Sequence, residues 1–350
     1  MEPVSFRDEV VTLVVDVGVG TTDILGYTGD PDYSPRTVQP SRTSTLAQRV
    51  LEMNHPPRLA MIGLPMGGGP LTKAIKHLMK EGTRVYAEPE AALTLHNDPD
   101  VLRDMDNLEI VENPLNHVLP TDPVLHTYDF DPNHLRENLE RWGTDPYEVE
   151  TVIACVQDHG YSPGYESARK HRFEELFARA LRPAGARLED MLYRNPPENF
   201  PRLNAAHTLA QAVGARRTVT ADSKIPVAML GRVDSNADTL LVIDHGTGHT
   251  TAFLIEDDRI LGVYEHHTRL LDRDKLLDHL KRFVEGDLTT EEVYRDGGHG
   301  AINVSPMDWD DVEDIVSTGP RREEFEVGRK PETVPDHMMP AYGPAMYLGV

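Results

Sequence analysis

Two short stretches of this 350-residue chain carry residue types suited to gripping a phosphate. Asp16-Val17-Gly18-Val19-Gly20-Thr21-Thr22 and Asp244-His245-Gly246-Thr247-Gly248-His249-Thr250 share the frame Asp-x-Gly-x-Gly-x-Thr. Gly18, Gly20, Gly246 and Gly248 let the backbone approach a phosphate and turn its N–H groups towards it. Thr21, Thr22, Thr247 and Thr250 add hydroxyl donors, and His249 an imidazole. Asp16 and Asp244 repel a phosphate but can hold the magnesium ion that bridges its oxygens. Two such turns facing each other would clamp a polyphosphate from both sides.

Other residues invite chemistry. Gln157 and Asp158 close an apolar run and could position water or bind magnesium; the alternative is turn capping. His245, His249, His266 and His267 cluster where a transition metal could be held, although the glycine turn interrupts the alternation that would align His245 with His249. Gly67-Gly68-Gly69 precedes a helix and could cradle an anion near Lys73, but lacks the Gly-Lys-Thr ending of a P-loop. Cys155, inside the apolar run 152–156, reads as a buried small hydrophobe. It is the one cysteine, which excludes an internal disulfide, a zinc site of cysteine pairs and a self-contained cubane cluster.

The elements that must position these residues follow from apolar patterning. Strands are expected over 10–17 and 23–27 around the first turn, and over 239–243 and 250–255 around the second. Further strands are expected at 58–64, 84–87, 150–156, 218–221, 259–264 and 314–317. Helices are expected at 71–80, 132–142, 165–180, 205–213, 226–231, 273–284 and 341–348. Recurrent proline beside aspartate or asparagine predicts an irregular insertion over 97–150.

Composition sets the class. Hydrophobic residues make up 39% and charged residues 27%, a globular balance. The 58 acidic against 35 basic residues give a net charge of −23, which repels phosphate backbones and argues against nucleic-acid binding. Such a surface suits high internal salt, or an acidic docking face for a basic partner. No apolar run is long enough to span a membrane. Met1 to Glu9 carries Glu2, Arg7, Asp8 and Glu9, unlike a signal peptide, so a cytoplasmic location is expected.

Taken in order, these motifs resemble the actin, hexokinase and heat-shock-chaperone superfamily, whose members hold ATP and magnesium between two ribonuclease-H-like domains. The resemblance implies an α/β fold: a first such domain over 1–234 carrying the insertion at 97–150, a reduced second domain over 235–334, and a helix in 335–350 returning to the first. The two turns match the two phosphate motifs. Asp222, ahead of the proline-led helix at 226–231, corresponds to the residue that orients attacking water. Gly319 matches the first glycine of the adenosine motif, where Pro320 replaces the second; Arg321 would stack on a base or bind another anion. Pro335-Asp336 and Ala341-Tyr342-Gly343-Pro344-Ala345 resemble the chaperone run of Pro-Asp followed by Ala-Tyr-Gly-Ala-Ala.

More narrowly, Pro65 to Pro70 and Gln157 to Gly160 are similar to an archaeal family some of whose members are labelled pyruvate formate-lyase activating enzymes. Radical activases need three cysteines for their cluster, so Cys155 alone argues against that chemistry. The resemblance implies a nucleotide-binding protein with three outcomes open: an ATPase switch driving a protein partner or cofactor maturation, a small-molecule kinase with Asp158 or Asp222 as base, or a nucleotide-binding module without turnover. Gln157, Asp158 and Asp222 are the candidate catalytic residues.

Overall fold

A computed structural model of the chain describes residues 9–165 and 167–349. The signal-peptide reading of residues 1–8 lies outside the described residues. The fold is mixed α/β with three sheets.

Strands β1 (Thr12–Val17), β2 (Thr21–Tyr27) and β3 (Arg36–Pro40) form an antiparallel meander. Next come β4 (Arg58–Gly63), β5 (Arg84–Ala87), β6 (Leu108–Ile110) and β7 (Val124–Thr127), a wholly parallel sheet in the order β6-β5-β4-β7. It has its own core, in which Leu59, Met61, Val85 and Leu125 pack against the helices Arg42–Leu51 and Gly69–Lys80. The chain then returns to the first sheet. After β8 (Thr151–Val156) and the short β9 (Ala186–Arg187), β10 (Arg217–Ala221) completes the order β10-β8-β1-β2-β3. Both β8 and β10 run parallel to β1. That central position is why β8, TVIACV, is buried along its whole length.

The segment expected to be irregular is ordered, and its prolines explain how. Asp98-Pro99, Asn113-Pro114, Asp131-Pro132 and Asp145-Pro146 each start a helical turn. In each pair the Asp or Asn side chain accepts the N–H two residues on, and proline takes the first helical position, where no donor is needed. What reads locally as loop punctuation is a repeated capping device.

The third sheet contains β11 (Thr239–His245), β12 (His249–Glu256), β13 (Arg259–His267), β14 (Gly300–Asn303) and β15 (Asp314–Thr318), in the order β14-β13-β12-β11-β15, with the short β9 also paired to β13. All neighbours are antiparallel except β15, which runs parallel to β11. Strands β11, β12, β13 and β15 thus repeat the order and directions of β1, β2, β3 and β8. One continuous core joins the two sheets, with Val14 and Ile153 from the first in the same apolar cluster as Phe253 and Val263 from the other.

Two helices link the sheets. Ile225–Asp234 follows β10, and Tyr342–Tyr347 crosses it. A Cβ on Gly343 would stand 2.2 Å from the Pro226 carbonyl oxygen and 2.4 Å from the Leu230 nitrogen, so only glycine allows that crossing. Tyr342 donates its hydroxyl to the Pro31 carbonyl at 3.2 Å, tying the last helix to the β2–β3 connection. Among the described residues no helix is long and apolar enough to cross a membrane.

Candidate functional site

The two glycine turns have the same geometry. Gly18 donates its N–H to the Thr21 carbonyl at 2.8 Å, and Gly246 to that of His249 at 3.1 Å. A Cβ on Gly246 would come within 2.7 Å of the His249 oxygen it bonds, and one on Gly18 within 3.1 Å of the Thr21 oxygen. Gly20 and Gly248 face open space. Val19, Gly20 and Thr21 in one turn, and Thr247 and Gly248 in the other, are exposed. Ser41 and Ser44 brace the first tip, donating hydroxyls to the Val19 carbonyl at 2.5 and 2.9 Å. Thr22 and Thr250 are buried. Thr250 donates to the Thr268 hydroxyl at 3.2 Å, and Thr268 to the Gly246 carbonyl at 2.7 Å, so Thr250 supports its turn from beneath.

Each turn starts from an aspartate at the end of a central strand. Asp16 pairs in register with Asp23 of β2 and Cys155 of β8; Asp244 pairs with Thr251 of β12 and Thr318 of β15. Burial first, then the charges of Asp23, Asp244 and Asp222, hold the Asp16 carboxyl well above the usual carboxylate range, with Lys224 opposing. Lys224, at the start of the helix Ile225–Asp234, sets its Nζ 2.5 Å from Asp244 Oδ2. Gly319 ends β15 in a left-handed conformation, φ 102°, with its Cα edge against Asp244 and the His245 carbonyl. Arg321 is paired with Glu324, and its N–H is donated to the His245 carbonyl at 3.0 Å.

The candidate catalytic residues are already engaged. Asp158 is buried and accepts N–H groups from Gly160, Arg202 and Leu203 at 2.8, 2.7 and 3.0 Å. Its carboxylate thereby caps the helix Pro201–Gln211, a structural placement. Asp222 receives a two-point contact from Arg172, at 3.0 and 2.8 Å, and the Lys224 N–H at 3.1 Å. Arg172 also pairs with Glu265 of β13, so one fully buried guanidinium joins the first sheet to the third. Gln157 differs: its side-chain nitrogen is buried with no hydrogen-bond partner among the described residues, just beyond the β8 residue that pairs with Val17.

The histidines sort by strand alternation. His245 is buried and stacked on Phe325, 5.0 Å between centroids. His266 lies 2.9 Å from Asp296. His249 and His267 sit opposite each other on β12 and β13, their ring centroids 4.6 Å apart. His299, from the loop before β14, joins them at 4.7 and 5.3 Å. Burial pushes the imidazoles of His249 and His299 down to about 3 and about 2, so both stay neutral at ordinary pH. Sequence reading assigned no role to Lys224, Arg172, Glu265 or His299. Lys224 had a local signal, since it sits two residues after Asp222 at a helix start; the other three meet their partners only through long-range packing.

Among curated proteins no similar sequence is found. A solved structure titled "PilM-PilN type IV pilus biogenesis complex" is 15% identical, with 97% of each chain covered and a TM-score of 0.34, a likeness too slight to bear on function. A family model described as "Putative pyruvate format-lyase activating enzyme (DUF1786)" matches residues 66–324, about three quarters of the chain, including the second glycine turn, Gln157, Asp158 and Asp222. The chain belongs to that family.

Proposed function

We propose that this chain is a magnesium-ATP-binding protein of the actin, hexokinase and chaperone architecture, working as an ATPase switch on a partner protein or in cofactor maturation. The matched pair of turns carries the reading: each follows the first strand of a sheet with the same strand order, each closes by the same hydrogen bond, and Asp16 and Asp244 share the field of Lys224. In this reading residues 1–234 and 235–334 are two ribonuclease-H-like units, the parallel four-stranded sheet is inserted in the first, and 335–350 returns to it. The exposed tips offer Gly20, Thr21, Thr247 and Gly248 to the phosphates.

The acidic residues fit a divalent cation. Asp16, Asp23, Asp222 and Asp244 interact around Lys224, while Arg172 is shared with Glu265, so carboxylates outnumber cations there. Asp16 and Asp244 would hold magnesium, which when bound neutralises charge on the phosphate oxygens. Lys224, held 2.5 Å from Asp244, would supply a flexible positive charge to the phosphates. Radical activation of pyruvate formate-lyase is not part of this proposal, because Cys155 is the single thiol of the chain and is buried in β8.

One observation favours a second reading, nucleotide binding without turnover. Asp158 and Asp222 spend their acceptors on Arg172 and on backbone N–H groups, which leaves neither free to take a proton. Calorimetric titration with ATP, with and without magnesium in high potassium, tests the clamp. The expected result is one site whose magnesium-dependent affinity falls at least ~10-fold in Asp16→Ala and in Asp244→Ala, about 1.4 kcal/mol. Absent magnesium-dependent binding, or unchanged affinity in both variants, would refute it. ADP release by the protein then separates the switch from the silent module.

A further inference from the structure

We propose that His249, His267 and His299 form a site for a divalent transition metal of the zinc type, separate from the magnesium assigned to the turns. Their available ligand nitrogens all lie within 4.8 Å of one another. Two come from adjacent strands in direct register, and the third is delivered by the bond from the His299 N–H to the Glu265 carbonyl at 2.9 Å. Around a tetrahedral zinc ion the ligand nitrogens stand roughly 3.3 Å apart, given bonds of about 2.0 Å. Modest rotation of the half-buried His249 and His267 rings closes that difference.

The second observation is an orphaned side chain. His299 is fully buried, yet neither ring nitrogen has a hydrogen-bond partner among the described residues. A buried imidazole without partners is costly unless something occupies its lone pair. Glu265 adds to this. Its Oε2 pairs with Arg172 and also lies 3.7 Å from His299 Nδ1, while Oε1 is buried with no hydrogen-bond partner among the described residues. A hydrogen bond from His299 to this carboxylate would give the outer support common at metal-binding imidazoles, fixing tautomer and orientation. His159 borders the cluster from the first sheet, its ring 5.8 Å from that of His299.

Three imidazoles with no thiolate select zinc, cobalt, nickel or ferrous iron over magnesium or calcium. Three protein ligands also leave a fourth position for water or a substrate oxygen, the pattern of reactive rather than purely structural zinc sites. The second glycine turn stands beside this position, since Thr268, next to His267, bonds to both Gly246 and Gly248.

The test uses the full chain without a histidine tag, stripped with chelator and titrated with zinc against a chromophoric competitor, and separately with cobalt(II). One equivalent of each should bind, with the visible absorption of four- or five-coordinate cobalt. His267→Gln and His249→Gln should each weaken zinc binding at least ~10-fold, while His77→Gln, on an exposed helix face, should bind as the wild type does. If His299→Gln does not fold, the two half-buried positions still decide the matter. No stoichiometric binding to the wild type, or wild-type affinity in both His267→Gln and His249→Gln, would overturn the site.

Discussion

Replacing Arg172 by methionine probes the joint between the two related sheets. Arg172, Asp222 and Glu265 are 0%, 1% and 0% exposed at their side chains, so none can turn to water when a partner is lost. Methionine fills much of the arginine volume, which leaves charge as the main change. Two buried carboxylates then lose their counter-ion, a defect that costs about 3–5 kcal/mol. Unfolding entropy of about 2.1 cal/mol/K per residue amounts to roughly 0.7 kcal/mol per degree over this chain, so Tm should fall by about 4–7 °C. The assay is thermal unfolding followed by tryptophan fluorescence, with chelator present so that metal binding does not contribute. A second variant separates charge from packing. Arg172→Met with Asp222→Asn and Glu265→Gln removes all three charges and should recover most of the loss, because a buried ion pair contributes little beyond its neutral equivalent. A fall below about 1 °C in the single variant, or no recovery in the triple, would refute the account of Arg172 as a buried electrostatic joint.

Two further outcomes are expected. Asp158→Ala removes the acceptor of three N–H groups, two at the start of the helix Pro201–Gln211 and one at Gly160, and should cost about 1–3 kcal/mol while leaving ATP affinity unchanged; turnover lost with Tm preserved would make Asp158 a catalytic group after all. Burial opposes ionisation of Asp234, but donors from Thr333, Arg329 and Glu332 prevail and hold its carboxyl below the usual range. That stabilisation is present above the unfolded value of about 3.9 and lost as pH falls through the lower folded value. The stability gap between wild type and Asp234→Asn, measured by urea unfolding, should therefore be flat near neutrality and close in acid; a gap that widens in acid would reverse the assignment.

The strands and turns were legible because their causes are local. Valine- or leucine-rich runs closed by Asp-x-Gly-x-Gly show the strand, its end and its turn within a dozen residues, and the two copies share a hydrogen-bond closure as well as a sequence frame. The final helix announced itself through Ala341-Tyr342-Gly343, and contact distances at Gly343 supply the reason for its glycine. Of the proline pairs between 97 and 150 only Asp131-Pro132 was read as a helix start; the other three misled, because the same Asp-Pro or Asn-Pro signal opens a loop or a capped helical turn. Only the neighbouring parallel sheet, with its own apolar core, selects the second.

The site residues divide along the same line. An aspartate closing a strand can be a base, a metal ligand or a cap, and nothing local separates these. Asp158 became a cap because Arg202 and Leu203, 44 and 45 residues later, start a helix against it. Asp222 was neutralised by Arg172 from 50 residues away, and His299 reached His249 and His267 through strand pairing that brings β14 beside β13. The sequence by itself determined the two turns, the strands feeding them and the lack of thiols for a cluster, since each depends on backbone preference or residue count. Which carboxylates are free, which histidines meet and which arginine lies between the sheets were decided by the tertiary structure, because a side chain's charge state and partners are set by what folding removes from water and places within reach.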